Sequence, residues 1–251
     1  MDLKGKAAFV TGGSGDIGSA IAKALAGVGA DVAISYVGHL EGAKATVGTI
    51  DSAGRRSLAV QLDQRDPASI ESSVDTVINA FGRIDILVNN AGWNIGIPFP
   101  DLETLTADIW DRVLETNLRG PYLLSRAFAK HLRANGTGRI VNIASVGGLF
   151  PGSSSIAYSS SKAGLIHLTR CLAVALAPEV TVNTIAPGLV EGTRIAKRLP
   201  DAVAQGARDQ AVLGRVGDIQ DIANQVVLFC SSDSITGQVL VIDGGMPGSM
   251  H

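Results

Sequence analysis

Short apolar runs alternate with helical patterns along this whole chain, and no linker interrupts them. Ala7-Ala8-Phe9-Val10-Thr11 is the first run. A glycine cluster stops it, and Ile17, Ile21, Leu25 and Val28 then fall on one helical face. Residues 31–36, 57–62, 84–88, 139–144, 180–186 and 238–242 read as further strands. Helices are expected over 40–53, 67–81, 107–133, 158–177 and 218–231. Pro67 suits a first helical turn, whereas Pro121 should kink or disturb the long helix around it. Such alternation predicts one α/β domain over residues 1–251, a parallel sheet with helices on both faces. Residues 188–216 break the rhythm and read as a lid-type excursion.

Composition supports this and removes other classes. Hydrophobic residues make up 46% of the chain and charged ones 18%, which suits a sheet buried on both sides. A net charge of −2, with no basic tract, leaves nucleic acid without a footprint. No apolar run is long enough to span a bilayer. The first strand follows Met1 too closely for a signal peptide, so a cytoplasmic location is expected. Cys171 and Cys230 sit in apolar helical patterns and read as reduced core residues. His131, His167 and His251 lack ligand spacing, so no metal is expected.

Two stretches carry chemistry. Gly13-Ser14-Gly15-Asp16-Ile17-Gly18 satisfies G-x-G-x-x-G between the first strand and the first helix. Glycines there let the backbone approach a pyrophosphate, and the helix N-terminus holds the anion. Asp16 would repel a phosphate it faced, so it is expected to turn sideways and cap helix N–H groups. The second strand ends Ile34-Ser35-Tyr36-Val37-Gly38-His39, with no carboxylate before Glu41. That leans toward NADP over NAD, with Ser35 as a phosphate donor and His39 as a partial charge or a plain loop residue. The second stretch is Tyr158-Ser159-Ser160-Ser161-Lys162. On a helix its ends share one face, so an ammonium can lower a phenol's pKa and tune it for proton transfer.

Together with Gly12, Asn89-Asn90-Ala91-Gly92, Asn117, Ser145 and Pro187-Gly188, these motifs resemble the short-chain dehydrogenase/reductase family over essentially the whole chain. The overall pattern is similar to its 3-oxoacyl-carrier-protein reductase branch. The resemblance implies a Rossmann-type doubly wound sheet of about seven strands. It implies Tyr158 as general acid/base, Ser145 polarising the substrate oxygen, and Lys162 holding the nicotinamide ribose. Asn117 would anchor a relay water. Asn90, Ala91 and Gly92 would line the adenosine side, Asp63 would meet the adenine, and Pro187, Gly188 and Thr193 the nicotinamide end. The family usually has Gly where Asp16 stands.

The activity expected is hydride transfer between nicotinamide and a carbonyl or secondary alcohol, with a 3-oxoacyl or small ketone substrate. The rivals are an NAD-dependent sugar or polyol dehydrogenase and a non-catalytic dinucleotide-binding regulator. Val146, Leu149, Phe150 and Leu189 are candidate pocket walls, and Trp93 is either wall or packing. An acyl-carrier-protein thioester would need basic docking residues, for which Arg133, Arg194, Lys197 and Arg198 are candidates. The apolar helix after Tyr158 should bury a second face, and family members commonly assemble through it; a homotetramer is expected.

Overall fold

The computed structural model describes residues 1–249; His251 lies outside them. The order is β1 (Ala7–Val10), α1 (Asp16–Gly27), β2 (Asp31–Tyr36), α2 (Leu40–Ser52), β3 (Ser57–Gln61), α3 (Pro67–Phe81) and β4 (Ile86–Asn89). Then come α4 (Ala107–Leu114), α5 (Gly120–Ala134), β5 (Gly138–Ile143), α6 (Ile156–Leu176), β6 (Val180–Pro187), α7 (Asp201–Gln210), α8 (Ile219–Ser231) and β7 (Val239–Ile242). The seven strands pair in parallel in the order β3-β2-β1-β4-β5-β6-β7. This is the doubly wound Rossmann-type sheet. The order reverses between β1 and β4, and a crevice opens at their carboxyl ends.

Successive strand residues face opposite layers, and both sets are apolar. Val10, Ile34, Val88 and Val141 pack under α1, α2 and α8. Phe9, Ala33, Leu87 and Ile140 pack under α3, α5 and α6. Both faces are therefore dry, and the polar ends of the strands are left to carry chemistry.

Helix ends follow local signals where they exist. Asp66 caps α3 by accepting from the Ala68 N–H at 3.0 Å, and Gly82 ends it at φ 76°. The irregularity expected near Pro121 is a π-helical turn, Glu115–Arg119, between α4 and α5. Pro121 has no N–H to bond the Asn117 carbonyl four residues back, so the α-helical ladder fails there. Such π turns recur at functional sites, and this one carries Asn117.

The excursion at 188–216 contains a 3-10 turn, Ala196–Arg198, and the helix α7. A bridge between Val190 and Gly217 pins its base. One expectation fails here: Cys171 is exposed, and only Cys230 is a core residue. The apolar pattern around Cys171 has a face that does not meet the sheet, since Val174 on the same helix is 82% exposed.

Candidate active site

The glycine turn sits on the reversal crevice. Gly13 and Gly18 are needed for packing: a Cβ at Gly13 would lie 2.5 Å from Ile34, and one at Gly18 would lie 2.4 Å from the Gly12 carbonyl oxygen. Below the turn, the Thr11 hydroxyl accepts from the N–H groups of Asn90 and Ala91, each at 2.9 Å. Asn90 Nδ2 donates to the Thr11 carbonyl at 2.8 Å. The Asn90-Ala91-Gly92 turn is thus tied to the end of β1, at the place expected for the adenosine side. Thr11 belongs to the glycine motif but the sequence assigns it no role of its own, and nothing in the sequence singles out Gln64. Gln64 Nε2 donates to the carbonyls of Ala91 and Thr116, at 3.1 and 2.6 Å, and so joins that turn to the α4–α5 segment.

At the N-terminus of α1 no side chain caps the helix. The N–H of Ser19 bonds the Gly15 carbonyl at 2.8 Å, and the N–H groups of Asp16, Ile17 and Gly18 have no acceptor among the described residues. Free donors at a positive helix end, beside side-chain-free Gly12 and Gly15, fit a dinucleotide pyrophosphate.

Two expectations at this end are corrected. Asp16 does not cap α1. Its carboxylate reaches across to the excursion, where Oδ2 accepts from the backbone N–H of Arg194 at 2.8 Å and from Nε at 3.4 Å. Ser35 is 2% exposed, and its hydroxyl accepts from the Gly12 N–H at 3.1 Å. It supports the turn from beneath, because β2 is an interior strand, and it does not face a ribose phosphate. Tyr36 packs on the α1–α2 layer. His39 is exposed and holds its Nδ1 against the Ser14 carbonyl at 2.9 Å. The Asp63 carboxylate is ion-paired with Arg65 at 2.6 Å, and the Arg65 guanidinium holds it below the usual carboxylate range.

The catalytic candidates converge on the ends of β5 and α6. Ser145 follows β5, is buried, and accepts from the Gly147 N–H at 3.1 Å. Ser155 caps α6 by accepting from the Tyr158 N–H at 3.2 Å, which fixes Tyr158 in the first turn. A Cβ on Gly148 would lie 2.6 Å from the Lys162 carbonyl carbon, so the turn after Ser145 packs directly on α6. Lys162 is 5% exposed, and Nζ donates to the Ile143 carbonyl at 2.8 Å. Burial pulls its ammonium down to about 8. A Cβ on Gly92 would meet Asn117 Oδ1 at 3.3 Å and Lys162 Nζ at 3.7 Å.

The phenol differs from expectation. Burial pushes the Tyr158 hydroxyl up, and the neighbouring Ser145 hydroxyl partly offsets this. Lys162 Nζ lies 5.7 Å from the Tyr158 ring centroid and is bonded elsewhere, so it does not bring the phenol down. This direction favours the protonated phenol, which is the form that donates.

Asn117 is fully buried. Its Oδ1 accepts from the Trp93 N–H at 2.8 Å, while Nδ2 donates to the Trp93 carbonyl at 2.9 Å and to Ser161 Oγ at 3.1 Å. Trp93 carries the Arg112 guanidinium at 4.1 Å from its ring, so it packs on α4. Val146 is buried in the turn after Ser145, Leu149 packs with Leu165 and Ile166, and Phe150 neighbours Gly248. Pro187 ends β6, and the Gly188 N–H donates to the Ile242 carbonyl at 2.9 Å. Leu189 is half-buried, and its carbonyl accepts from Gly217. The Thr193 hydroxyl donates to the Val190 carbonyl at 2.9 Å and accepts from the Ala196 N–H at 3.1 Å. The four basic docking candidates do not form one patch. Arg133 bonds the Ala175 carbonyl at the far end of α6, on the opposite edge of the sheet from Arg194.

No helix among the described residues is long and apolar enough to cross a membrane, and no cluster of possible metal ligands occurs among them.

A family model described as enoyl-(acyl carrier protein) reductase matches residues 13–247. The 3-oxoacyl-acyl-carrier-protein reductase FabG of Escherichia coli is 38% identical over 252 residues, covering 98% of this chain and 99% of that one. A short-chain dehydrogenase from Burkholderia cenocepacia, solved in complex with NADP, superposes with a TM-score of 0.90 at 41% identity, covering 98% and 100% of the two chains. An NAD+-bound xylitol dehydrogenase superposes equally well, TM-score 0.90, at 30% identity over 98% and 100%. The chain belongs to the short-chain dehydrogenase/reductase family, and it is a nicotinamide-dependent oxidoreductase.

Proposed function

We propose an NADP(H)-preferring carbonyl reductase acting on a 3-oxoacyl thioester or a small ketone. The observation that carries the reaction class is the meeting of Ser145, Tyr158 and Lys162 at one crevice, with Asn117 one bond away through Ser161. A bound nicotinamide supplies the hydride. The Ser145 hydroxyl donates to the substrate oxygen as charge builds on it. Tyr158, kept protonated by burial, donates the proton that completes the alcohol. Lys162 presents a charged ammonium below about pH 8 to the cofactor ribose and passes protons on. Asn117 holds the Trp93 backbone and the widened turn in register with Lys162.

The NADP preference draws on the end of β2. The first carboxylate after it, Glu41, is exposed and paired with Lys44 at 2.9 Å, so nothing acidic faces a ribose phosphate there. The substrate reading draws on the relatives named as ketoacyl reductases. The second reading, an NAD-dependent polyol dehydrogenase, draws on the xylitol dehydrogenase likeness. The exposed apolar residues Val174, Leu228 and Leu240 support a homotetramer, and the expected location is cytoplasmic. Rates with NADPH and NADH over a panel of 3-oxoacyl thioesters, ketones and polyols test the reading. NADH preference with polyol oxidation would replace it by the second.

A further inference from the structure

We infer that Arg194 is a phosphate-binding cation carried to the glycine turn by the excursion, and that Asp16 positions it there; this rests on the dinucleotide reading above. From Gly12 to Gly18 the turn has no basic side chain of its own, and it has a carboxylate where a phosphate must approach. In the fold that carboxylate is paired. Asp16 Oδ2 accepts from both the backbone N–H and Nε of Arg194, across 178 residues of sequence. The other end of the same guanidinium lies over the turn: Nη2 is 3.6 Å from where a Gly15 Cβ would stand. Arg194 therefore lies in contact range of the turn at Gly15, where the turn has no side chain of its own.

The guanidinium fork has donors to spare. A guanidinium has five N–H groups in fixed geometry, and here only Nε is bonded, leaving both Nη groups without a protein acceptor among the described residues. The side chain is 52% exposed, so a ligand can reach it. Its backbone is held in place: the Val190–Gly217 bridge closes the base of the excursion, and Thr193 is bonded to Val190 and Ala196. A cavity of about 610 Å³ is lined by Ser14, Gly15 and Asp16 from the turn, Gly192 from the excursion and Gln220 from α8. Arg194 itself does not line it, and the rest of its wall comes from α1, α2 and Ile219, so it is a groove beside the turn rather than the strand-end crevice. What ties Arg194 to the turn is its contacts with Asp16 and Gly15. Lys23 lines it too, but it is exposed and has no partner that would aim it. A guanidinium can bond two anions at once, Asp16 through Nε and a phosphate oxygen through Nη. The Asp16 charge is then offset, and the departure from the family's Gly is matched by Arg194.

Calorimetric titration of NADPH and NADH into wild type, Arg194→Ala, Arg194→Lys, Asp16→Gly and the double variant Asp16→Gly/Arg194→Ala tests this, with thermal melting as the check on folding. Arg194→Ala should bind both dinucleotides, or NADPH alone, roughly 10- to 100-fold more weakly, the range for a hydrogen bond to a charged group. Equal loss places the fork on the pyrophosphate, and loss confined to NADPH places it on the 2′-phosphate. Arg194→Lys should keep part of the affinity, and the salt dependence of binding should flatten in Arg194→Ala. The double variant should bind better than Arg194→Ala, because the unpaired carboxylate has gone. Wild-type affinity in Arg194→Ala overturns the inference. A double variant no better than Arg194→Ala overturns the repulsion assigned to the unpaired carboxylate, and an Asp16→Gly variant that binds as tightly as wild type overturns the positioning role of Asp16. A wild type that binds neither dinucleotide overturns the dinucleotide reading, and this inference with it.

Discussion

Replacing Lys162 by Met removes an ammonium that the fold holds where water barely reaches. The residue is 5% exposed, and Nζ has one partner, the Ile143 carbonyl at 2.8 Å. Burial brings its pKa from 10.5 to about 8. That gap corresponds to about 3 kcal/mol of cost to the folded state at neutral pH. Met is similar in length and uncharged, so it removes the cost. It also leaves the Ile143 carbonyl without its donor, which costs about 1–3 kcal/mol. The expected net effect is a variant about 1 kcal/mol more stable than wild type near pH 7. The pH dependence has a definite sign. Between about pH 8 and about pH 10.4 the unfolded amine is protonated and the folded one is not, so wild type gains stability as pH rises through that window. The variant has no such group, and its advantage should shrink and then reverse. Urea unfolding at about pH 7 and about pH 9.5 measures both differences. A stability difference that is the same at both pH values would refute the reasoning, because it would mean the amine is not held against its solvation. Turnover should fall by roughly 100-fold or more in the same variant, since the group serves chemistry at the expense of the fold.

Other outcomes follow from the same geometry. Asn117→Ala should destabilise the protein by about 1–3 kcal/mol, because it strands the Trp93 N–H and carbonyl and removes the donor to Ser161 Oγ, which keeps its own bond to the Tyr158 carbonyl; chemical denaturation reads this directly. Alcohol oxidation needs the phenol deprotonated, and burial pushes the Tyr158 pKa up, so the oxidative rate should climb with pH while the reductive rate does not; paired pH–rate profiles show it. The buried Cys230 thiol is pushed up to about 12 and should stay inert, so native protein should titrate at most one of the two thiols that the denatured chain titrates.

The sequence is most legible where a residue's job is local. β2 and α3 have the expected limits, because Asp66-Pro67 and Gly82 signal the ends of α3 within a residue of them. The meeting of Ser145, Tyr158 and Lys162 was legible too, since a strand end and the next helix share one edge of a parallel sheet. What escaped depends on contacts far along the chain. Asp16 looked like a cap because its partner Arg194 lies on the other side of the molecule in sequence. Ser35 looked like a phosphate donor because the parity of β2 does not reveal that Gly12 sits directly above it. The phenol was expected to be lowered by Lys162. Helical spacing does place the two on one face, but it does not say that the amine bonds the Ile143 carbonyl. Cys171 illustrates the same limit in reverse: an apolar helix shows that a second face exists, not which residues lie on it.

The most direct measurement is NADPH oxidation with 3-oxoacyl thioesters and small ketones, wild type beside Tyr158→Phe, with NADPH binding measured on both. Wild-type turnover should drop by roughly 100- to 10,000-fold in the variant while NADPH affinity stays the same. Equal turnover by the two proteins would contradict the account, because proton donation would then not pass through the Tyr158 hydroxyl.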